Sequence, residues 1–266
     1  MPHIDIRGVD AGTAYFVDAC SHVHESAEMD ACANRRCVAL DALRERGAHV
    51  KVALCDSEMV GFLYLLPIEV SPWGPIGRDL AVVPCLYVMP QGKGRGIGHL
   101  LLRAAEDHAR HQGRKGIVTI AYYGDFWFMP ALFFERCGFS VACRRGDQAI
   151  LWKVFDRTAE APAFLEPRYQ FRPQPGKVVV DLFWNRFCLT SDIEAKRVRE
   201  VAAEFGDLVA LNEYCADDRE VLLAHQIPSA IFIDGAKIGW GHEAPREGIR
   251  EAINRALDRN GAGAAT

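Results

Sequence analysis

The most informative part of the sequence is Leu86-Tyr87-Val88-Met89-Pro90-Gln91-Gly92-Lys93-Gly94-Arg95-Gly96-Ile97-Gly98. Leu80–Met89 is an apolar run typical of a buried strand, and Ile97 begins a segment whose apolar residues recur at helical spacing. Glycine lets a backbone approach a phosphate closely, and the first turn of a helix offers unpaired N–H groups and a positive dipole end. Lys93 and Arg95 add positive charge. The stretch therefore predicts a site for a pyrophosphate group.

Two familiar nucleotide-binding patterns fit this loop poorly. No βαβ unit with an acidic ribose ligand follows it, as a Rossmann fingerprint requires, and no Gly-Lys-Ser/Thr follows, as a P-loop requires. Lys93–Gly98 instead resembles the Arg/Gln-x-x-Gly-x-Gly/Ala signature of the GNAT superfamily of N-acetyltransferases, with lysine in the first position. Ala131–Phe139 resembles a later helix of the same family, and the resemblance covers about residues 3–154.

The resemblance implies an α/β (α+β) architecture, the GNAT fold, with a mixed central sheet flanked by helices. It implies an enzyme, an acyl-CoA-dependent N-acetyltransferase that uses acetyl-CoA as co-substrate and no metal. A deprotonated amine would attack the thioester carbonyl directly while a backbone N–H polarises the oxygen. The cofactor-binding residues that the resemblance implies are Val88 and Met89 for the pantetheine arm, and Lys93, Gly94, Arg95, Gly96, Ile97 and Gly98 for the pyrophosphate.

The sequence departs from the family at two catalytic positions. Phe134 stands where many members carry the tyrosine that protonates the leaving thiolate, and residues 80–88 contain no carboxylate to act as a base. We therefore predict Tyr122 and Tyr123 as substitute hydroxyl donors. His24 is the predicted proton relay, since histidine titrates near neutral pH.

Each of these side chains also has an ordinary interpretation, as an exposed loop histidine or a core tyrosine. The same holds for the aromatic residues that could line an acceptor pocket, which as easily serve plain packing. They are Trp73, Phe126, Trp127 and Phe128.

The strand–helix pattern restarts after a proline-containing segment. We expect a GNAT domain over residues 1–154, a linker over 155–176, a second domain over 177–259 and a frayed tail over 260–266. The second domain has the predicted order βαβαββα and resembles a thioredoxin-like fold. The whole arrangement is similar to bacterial GNAT proteins that carry a C-terminal YoaP-like domain.

In the second domain, Cys188-Leu189-Thr190-Ser191 stands where thioredoxins carry Cys-x-x-Cys, and Pro228 matches the cis-proline of that family. A thiol at a helix N-terminus is more readily ionised, so Cys188 is a candidate reactive or catalytic thiol. Ser191 and Glu194 also fit a capping box, which would start the helix at Ser191 and leave Cys188 outside it.

Composition narrows the function classes. The chain has 266 residues, a net charge of −4 and nine cysteines without a Cys-x-x-Cys pair. We expect a cytoplasmic protein with reduced thiols that binds no nucleic acid, membrane or metal. The expected partner is a small-molecule amine acceptor, with a homodimer left open.

Three functions remain open from the sequence. The first is acyl transfer to a small-molecule amine. The second is a thiol-binding or redox protein that uses Cys188 beside a CoA-binding GNAT domain. The third is a non-catalytic acyl-CoA-binding protein.

Overall fold

The computed structural model describes residues 3–124, 128–239 and 244–263. The chain divides into two compact units, Met1–Leu165 and Glu166–Thr266. The first part of the predicted linker belongs to the first unit, because Phe164 is buried in an apolar cluster with Ile68 and Leu80. The division falls inside the predicted linker, and the domain boundaries drawn from the sequence stay predictions.

A single mixed sheet of seven strands forms the frame of the first unit, in the order β1-β2-β3-β4-β5-β7-β6. Every neighbouring pair is antiparallel except β4 and β5, which are parallel. The strands are β1 Ile4–Gly8, β2 His49–Cys55, β3 Glu58–Pro67, β4 Leu80–Val88, β5 Gly116–Tyr122, β6 Ser140–Arg145 and β7 Gln148–Val154.

Helices cover both faces of this sheet. They are α1 Ala14–Asp18, α2 Ala27–Glu45, α3 Ile97–His111 and α4 Ala131–Arg136. Side chains alternate along a strand, so β3 presents Leu63 to the core formed with α3, and presents Phe62 and Tyr64 to α1. The sheet is therefore a two-sided frame whose middle strands, β3 and β4, are covered on both faces.

Two features of the first unit differ from the sequence-based prediction. The pattern predicts a helix over Ala11–His22, whereas α1 ends at Asp18, because Cys20 and Ser21 adopt positive φ angles of 52° and 71°. The pattern gives no strand at β6. That strand is largely exposed along its length, so it carries no apolar alternation to reveal it.

The second unit has a mixed sheet of four strands in the order β11-β10-β8-β9. Its elements follow the predicted order βαβαββα, and β8 and β9 are parallel. They are β8 Val178–Trp184, α5 Leu189–Glu204, β9 Val209–Cys215, α6 Arg219–His225, β10 Ala230–Ile233, β11 Ala236–Ile238 and α7 Arg246–Gly263. The YoaP resemblance also rests on the run Gly239–Glu247, of which residues 240–243 lie outside the described residues.

The expected cis peptide bond before Pro228 is wrong. Among the described residues, the cis peptide bond is the one between Gly74 and Pro75. The chain turns instead at Gln226, which adopts a left-handed conformation (φ 53°, ψ 36°) and ends α6. The carbonyl of Pro228 then accepts a hydrogen bond from Asn185 Nδ2 at 2.9 Å.

Candidate functional site

The parallel strands β4 and β5 pair over only part of their length. Leu80–Val82 pairs with Gly116–Val118, and the register stops there. Just beyond this point Thr119 Oγ1 donates to the carbonyl of Val83 at 2.7 Å, and the pairing of β4 with β3 shifts register. The carboxyl-terminal halves of the two strands therefore leave an opening in the sheet.

Met129 bridges this opening. Its carbonyl accepts a hydrogen bond from Tyr122 N at 2.9 Å on the β5 side, and its sulfur lies 3.3 Å from Leu86 N on the β4 side. A thioether is a weak acceptor. The N–H of Leu86 is therefore a donor, directed into the opening, that a stronger acceptor can take over.

The glycine-rich loop continues from β4 and leads into α3. Gly94 and Gly96 adopt left-handed conformations with φ of 76° and 74°, and a Cβ on either would meet no atom within 4 Å. Glycine is therefore required by conformation and not by lack of space. Leu100 is the first residue whose N–H donates within α3, to the carbonyl of Gly96 at 3.1 Å. The N–H groups of Ile97 and Gly98 point out of the helix N-terminus.

The predicted cofactor residues of the loop have different environments. Lys93 and Arg95 are both exposed, and Arg95 Nη1 donates to the sulfur of buried Cys55 at 3.0 Å. Met89 N donates to the carbonyl of Val60 at 2.8 Å, and Met89 O accepts from Gly92 N at 2.9 Å. Both backbone groups of Met89 are thus engaged within the fold.

Val88, the other residue predicted to contact a pantetheine arm, pairs with Gly61 of β3. Of the β4 groups described above, Leu86 N is the one directed toward the opening. The sequence did not single it out, because strand alternation alone does not show which edge of a strand stays unpaired.

Tyr122 ends β5 and Tyr123 follows it directly, and their hydroxyl groups have different partners. Tyr123 donates its proton to the Glu135 carboxylate at 2.5 Å, and Arg144 lies 4.2 Å from the centre of its ring. The hydrogen bond to Glu135 is the main cause that raises the pKa of Tyr123. Tyr122 accepts a hydrogen bond from Gln148 Nε2 at 3.3 Å. Because Tyr123 already gives its proton to a carboxylate, it is not placed to donate that proton to a leaving group.

His24 lies in an exposed cluster between α1 and α2. Its ring stacks on Tyr15 with the centroids 5.0 Å apart, and Nδ1 is 3.4 Å from the Asp30 carboxylate. Tyr15 donates its hydroxyl proton to Asp30, which raises the pKa of Tyr15 to about 12. Nearby, His22 Nδ1 is 2.9 Å from the Glu25 carboxylate. Both histidines therefore lie within ion-pair distance of a carboxylate.

Of the predicted pocket aromatics, Trp73 is half-buried and Phe128 packs against the main core. Phe126 and Trp127 lie outside the described residues.

A thiol pair that the sequence prediction missed lies on the face of β4 covered by α1 and α2. The thiol of Cys20, just after α1, forms a hydrogen bond with that of Cys85 on β4. This bond is the main cause that lowers the pKa of Cys20 to about 6, with added contributions from Arg36 and His22. The residues are distant in sequence, so no spacing pattern reveals the pair.

In the second unit, the structure decides where the helix after β8 begins. Cys188 is the N-cap of α5 (φ −90°, ψ 122°), and its N–H donates to Asn185 Oδ1 at 2.8 Å. The capping box from Ser191 is wrong, because the Ser191 hydroxyl lies within the helix and accepts from Asn185 N at 3.0 Å. Cys188 therefore does lie at a helix N-terminus. Cys215 ends β9, and burial is the main cause that raises its pKa to about 11.

Within the described parts of the chain, no group of three or more histidine, cysteine, aspartate and glutamate residues is arranged to hold a metal ion. None of the helices described there is long and apolar enough to cross a membrane.

Comparison with known proteins gives one family match, within the first unit. Residues 46–141 match the model of the acetyltransferase (GNAT) domain. No curated protein matches the chain.

Among solved structures, the chain is similar to PaiA N-acetyltransferase from Thermoplasma acidophilum in complex with coenzyme A (16% identity, 57% of this chain and 99% of that chain, TM-score 0.41). It is also similar to a GNAT family acetyltransferase from Brucella melitensis with acetyl-CoA (21% identity, 61% and 96%, TM-score 0.39). A third is a dodecameric spermidine N-acetyltransferase from Vibrio cholerae (15% identity, 57% and 93%, TM-score 0.41). The residues 46–141 that match the acetyltransferase (GNAT) domain model contain β4, the glycine loop and most of the strands and helices around them.

Proposed function

We propose that the first unit transfers an acetyl group from acetyl-CoA to the amine of a small molecule. The observation that carries this proposal is the opening between β4 and β5, which leads directly into the glycine loop and the N-terminus of α3. A pyrophosphate held at the loop allows an extended arm to run back along β4 into the opening. The reacting thioester then comes to the part of β4 that contains Leu86.

The chain's own groups fit the steps of a direct transfer. The N–H groups of Ile97 and Gly98 would bind the pyrophosphate, with Lys93 adding positive charge. The N–H of Leu86 would leave the Met129 sulfur and donate to the thioester oxygen, which becomes more negative as the amine attacks. The new C–N bond forms, the C–S bond breaks, and Tyr122 is the proposed proton donor to the departing thiolate. His24 remains the proposed relay for the amine proton.

A thermal-shift titration with acetyl-CoA, CoA and dephospho-CoA tests the donor site. A ligand that binds only the folded state raises the melting temperature once its concentration exceeds Kd. We expect stabilisation of the wild-type protein by all three ligands, and a much smaller effect in a Lys93→Ala/Arg95→Ala variant. Arg46→Ala/Arg157→Ala is the matched control, because it removes two exposed charges of the same unit outside the loop. No stabilisation at millimolar ligand would refute the site.

The transfer itself is tested by release of CoA thiol from acetyl-CoA with a panel of amines that includes polyamines, amino sugars and amino acids. Turnover with at least one amine supports the proposal. Binding of acetyl-CoA without turnover on any amine would favour a non-catalytic acyl-CoA-binding protein.

A second candidate function involves the second unit, which we propose to be thioredoxin-like and similar to YoaP domains. The observation that favours it is the position of Cys188 at the N-cap of α5. The helix dipole stabilises a thiolate there. Mixed-disulfide formation with a small thiol such as glutathione, mapped to Cys188 by peptide mass spectrometry, would support this role. Absence of any adduct at Cys188 would remove it.

A further inference from the structure

The side chain of Arg95 ties the glycine loop to a strand on the far side of β3. Its Nη1 donates to the sulfur of Cys55 at 3.0 Å, and Cys55 is the last residue of β2. In the sheet, β2 lies beyond β3, on the side of β4 away from β5. Neighbouring strands are about 4.8 Å apart, so β2 runs about 10 Å from β4. The guanidinium is therefore held on the side of the loop away from the opening between β4 and β5.

Cys55 is a rigid partner for this bond. Its side chain is 5% exposed and belongs to the same core cluster as Ile97, the first residue of α3. Its backbone is in register with Ile4 of β1 on one side and with Glu58 of β3 on the other. A side chain packed in this way keeps its position when the loop moves, because closely packed interiors yield little. The sulfur of Cys55 is therefore a fixed point to which Arg95 can hold the loop.

The loop on either side of Arg95 has little else to fix it. Gly94 and Gly96 flank Arg95, and both have positive φ and open space around them. Glycine has the largest conformational freedom of all residues, so a backbone with two glycines around one side chain is easily displaced. Within the described chain, the bond to Cys55 is the one side-chain hydrogen bond that holds residues 94–98. The direction of the first N–H groups of α3 therefore depends on this bond.

We propose that Arg95 is a positioning residue, which acts through Cys55 to hold the N–H groups of Ile97 and Gly98 toward the pyrophosphate of acetyl-CoA. This inference rests on the proposed acetyl transfer, and it gives the two basic residues of the loop different tasks. The exposed Lys93 supplies the charge that attracts the phosphate groups. Arg95 fixes the backbone that binds them.

The first test is a double-mutant cycle on the affinity for acetyl-CoA, measured by isothermal titration calorimetry with the full chain. Cys55→Val removes the acceptor at similar volume, and Arg95→Met removes the donor at similar length. Each should raise Kd by about 2–10-fold, the range expected for one hydrogen bond. The double variant should bind no more weakly than either single variant, because both changes remove the same bond. Cys32→Val, at a buried thiol of α2, is the matched control and should bind as wild type.

A serine variant separates positioning from simple packing. Cys55→Ser keeps a hydrogen-bond acceptor for Arg95 but places a hydroxyl in the apolar core, whereas Cys55→Val suits the core and removes the acceptor. Positioning predicts that the serine variant binds acetyl-CoA more tightly than the valine variant, although it melts at a lower temperature. A purely structural role of Cys55 predicts the same order for affinity and stability, with valine ahead in both, and that result would overturn the inference.

The second test uses salt to distinguish position from charge. Between about 0.01 and 0.15 M ionic strength the screening length falls from about 30 to about 8 Å, so an attraction between a side chain and a phosphate weakens. Lys93→Met should flatten the rise of Kd with salt. Arg95→Met should raise Kd and keep most of the wild-type slope, and Arg46→Met, at an exposed site after α2, should change neither. Equal flattening in Arg95→Met and Lys93→Met would overturn the inference, because the guanidinium would then act as a charge on the phosphate.

The outcomes separate the inference from the proposed function. A wild-type protein that binds acetyl-CoA, together with additive effects of Cys55→Val and Arg95→Met or wild-type affinity in Cys55→Val, overturns the positioning role and leaves the donor site standing. A wild-type protein that binds no acetyl-CoA overturns the donor site and the positioning role together.

Discussion

Replacement of Gly96 by alanine tests whether the start of α3 binds a phosphate group. Gly96 is the N-cap of α3 and has φ of 74°. A useful control exists near the other end of the same helix, where Gly113 has φ of 69° just after the C-cap Gln112. A Cβ at either glycine would meet no atom within 4 Å, so both substitutions carry only the backbone cost of a left-handed alanine.

The two variants should lose similar stability. An L-residue in the left-handed conformation costs about 1–2 kcal/mol, and 1 kcal/mol shifts the melting temperature of a domain of this size by roughly 2–4 °C. Both variants should therefore melt about 2–8 °C below wild type. This equality is itself a check, because a larger loss in one variant would show that the local fold has changed.

The affinities for acetyl-CoA should differ. Relief of strain at Gly96 displaces the N–H groups of the first turn of α3, and a hydrogen bond to a charged group contributes about 1.5–3 kcal/mol. Loss of one such bond weakens binding by about 10–100-fold, since 1.4 kcal/mol corresponds to a factor of ten. Isothermal titration calorimetry should give that loss for Gly96→Ala and a Kd within twofold of wild type for Gly113→Ala. Equal Kd values for the two variants would refute phosphate binding at this helix.

Three further predictions concern other parts of the chain. Burial, with His49 and Lys51 as further causes, lowers the pKa of His108 to about 4 from a usual value near 6.5. Between these pH values His108 is protonated in the unfolded chain and neutral in the folded chain, so acid favours unfolding. The melting temperature should fall as the pH is lowered from 6.5 to 4, and this fall should be smaller in His108→Gln; an unchanged slope would contradict the assignment. Asn185→Asp removes the donor to Pro228 O and places two acceptors together at a buried site, which should cost about 2–4 kcal/mol in denaturant unfolding, whereas a cost near zero would mean that the turn relaxes freely. Cys188→Ser should leave CoA release at the wild-type rate, because the proposed transfer uses groups of the first unit, and a tenfold loss would instead favour the thiol function.

The glycine loop shows how far sequence reasoning reaches. Positive φ angles at Gly94 and Gly96 and the apolar periodicity of α3 are properties of neighbouring residues, so they can be predicted without tertiary contacts. The same holds for the order of elements in the second unit. Two predictions in the second unit, the capping box at Ser191 and the cis bond before Pro228, were wrong because they depend on which of several possible partners a group binds in the folded domain. The Ser191 hydroxyl bonds to Asn185 N instead of capping a helix, and the turn before Pro228 is made by Gln226.

The sequence by itself therefore determined the glycine loop that enters α3, the GNAT resemblance and the two-part organisation, because each is encoded by residues that are close along the chain. Tertiary structure alone decided that β4 and β5 separate after Val82, and that Met129 lies beside the N–H of Leu86. It also brought Cys20 into contact with Cys85. These features arise when strands pair and helices pack across long stretches of sequence, and no local pattern records which edge stays open or which distant side chains meet.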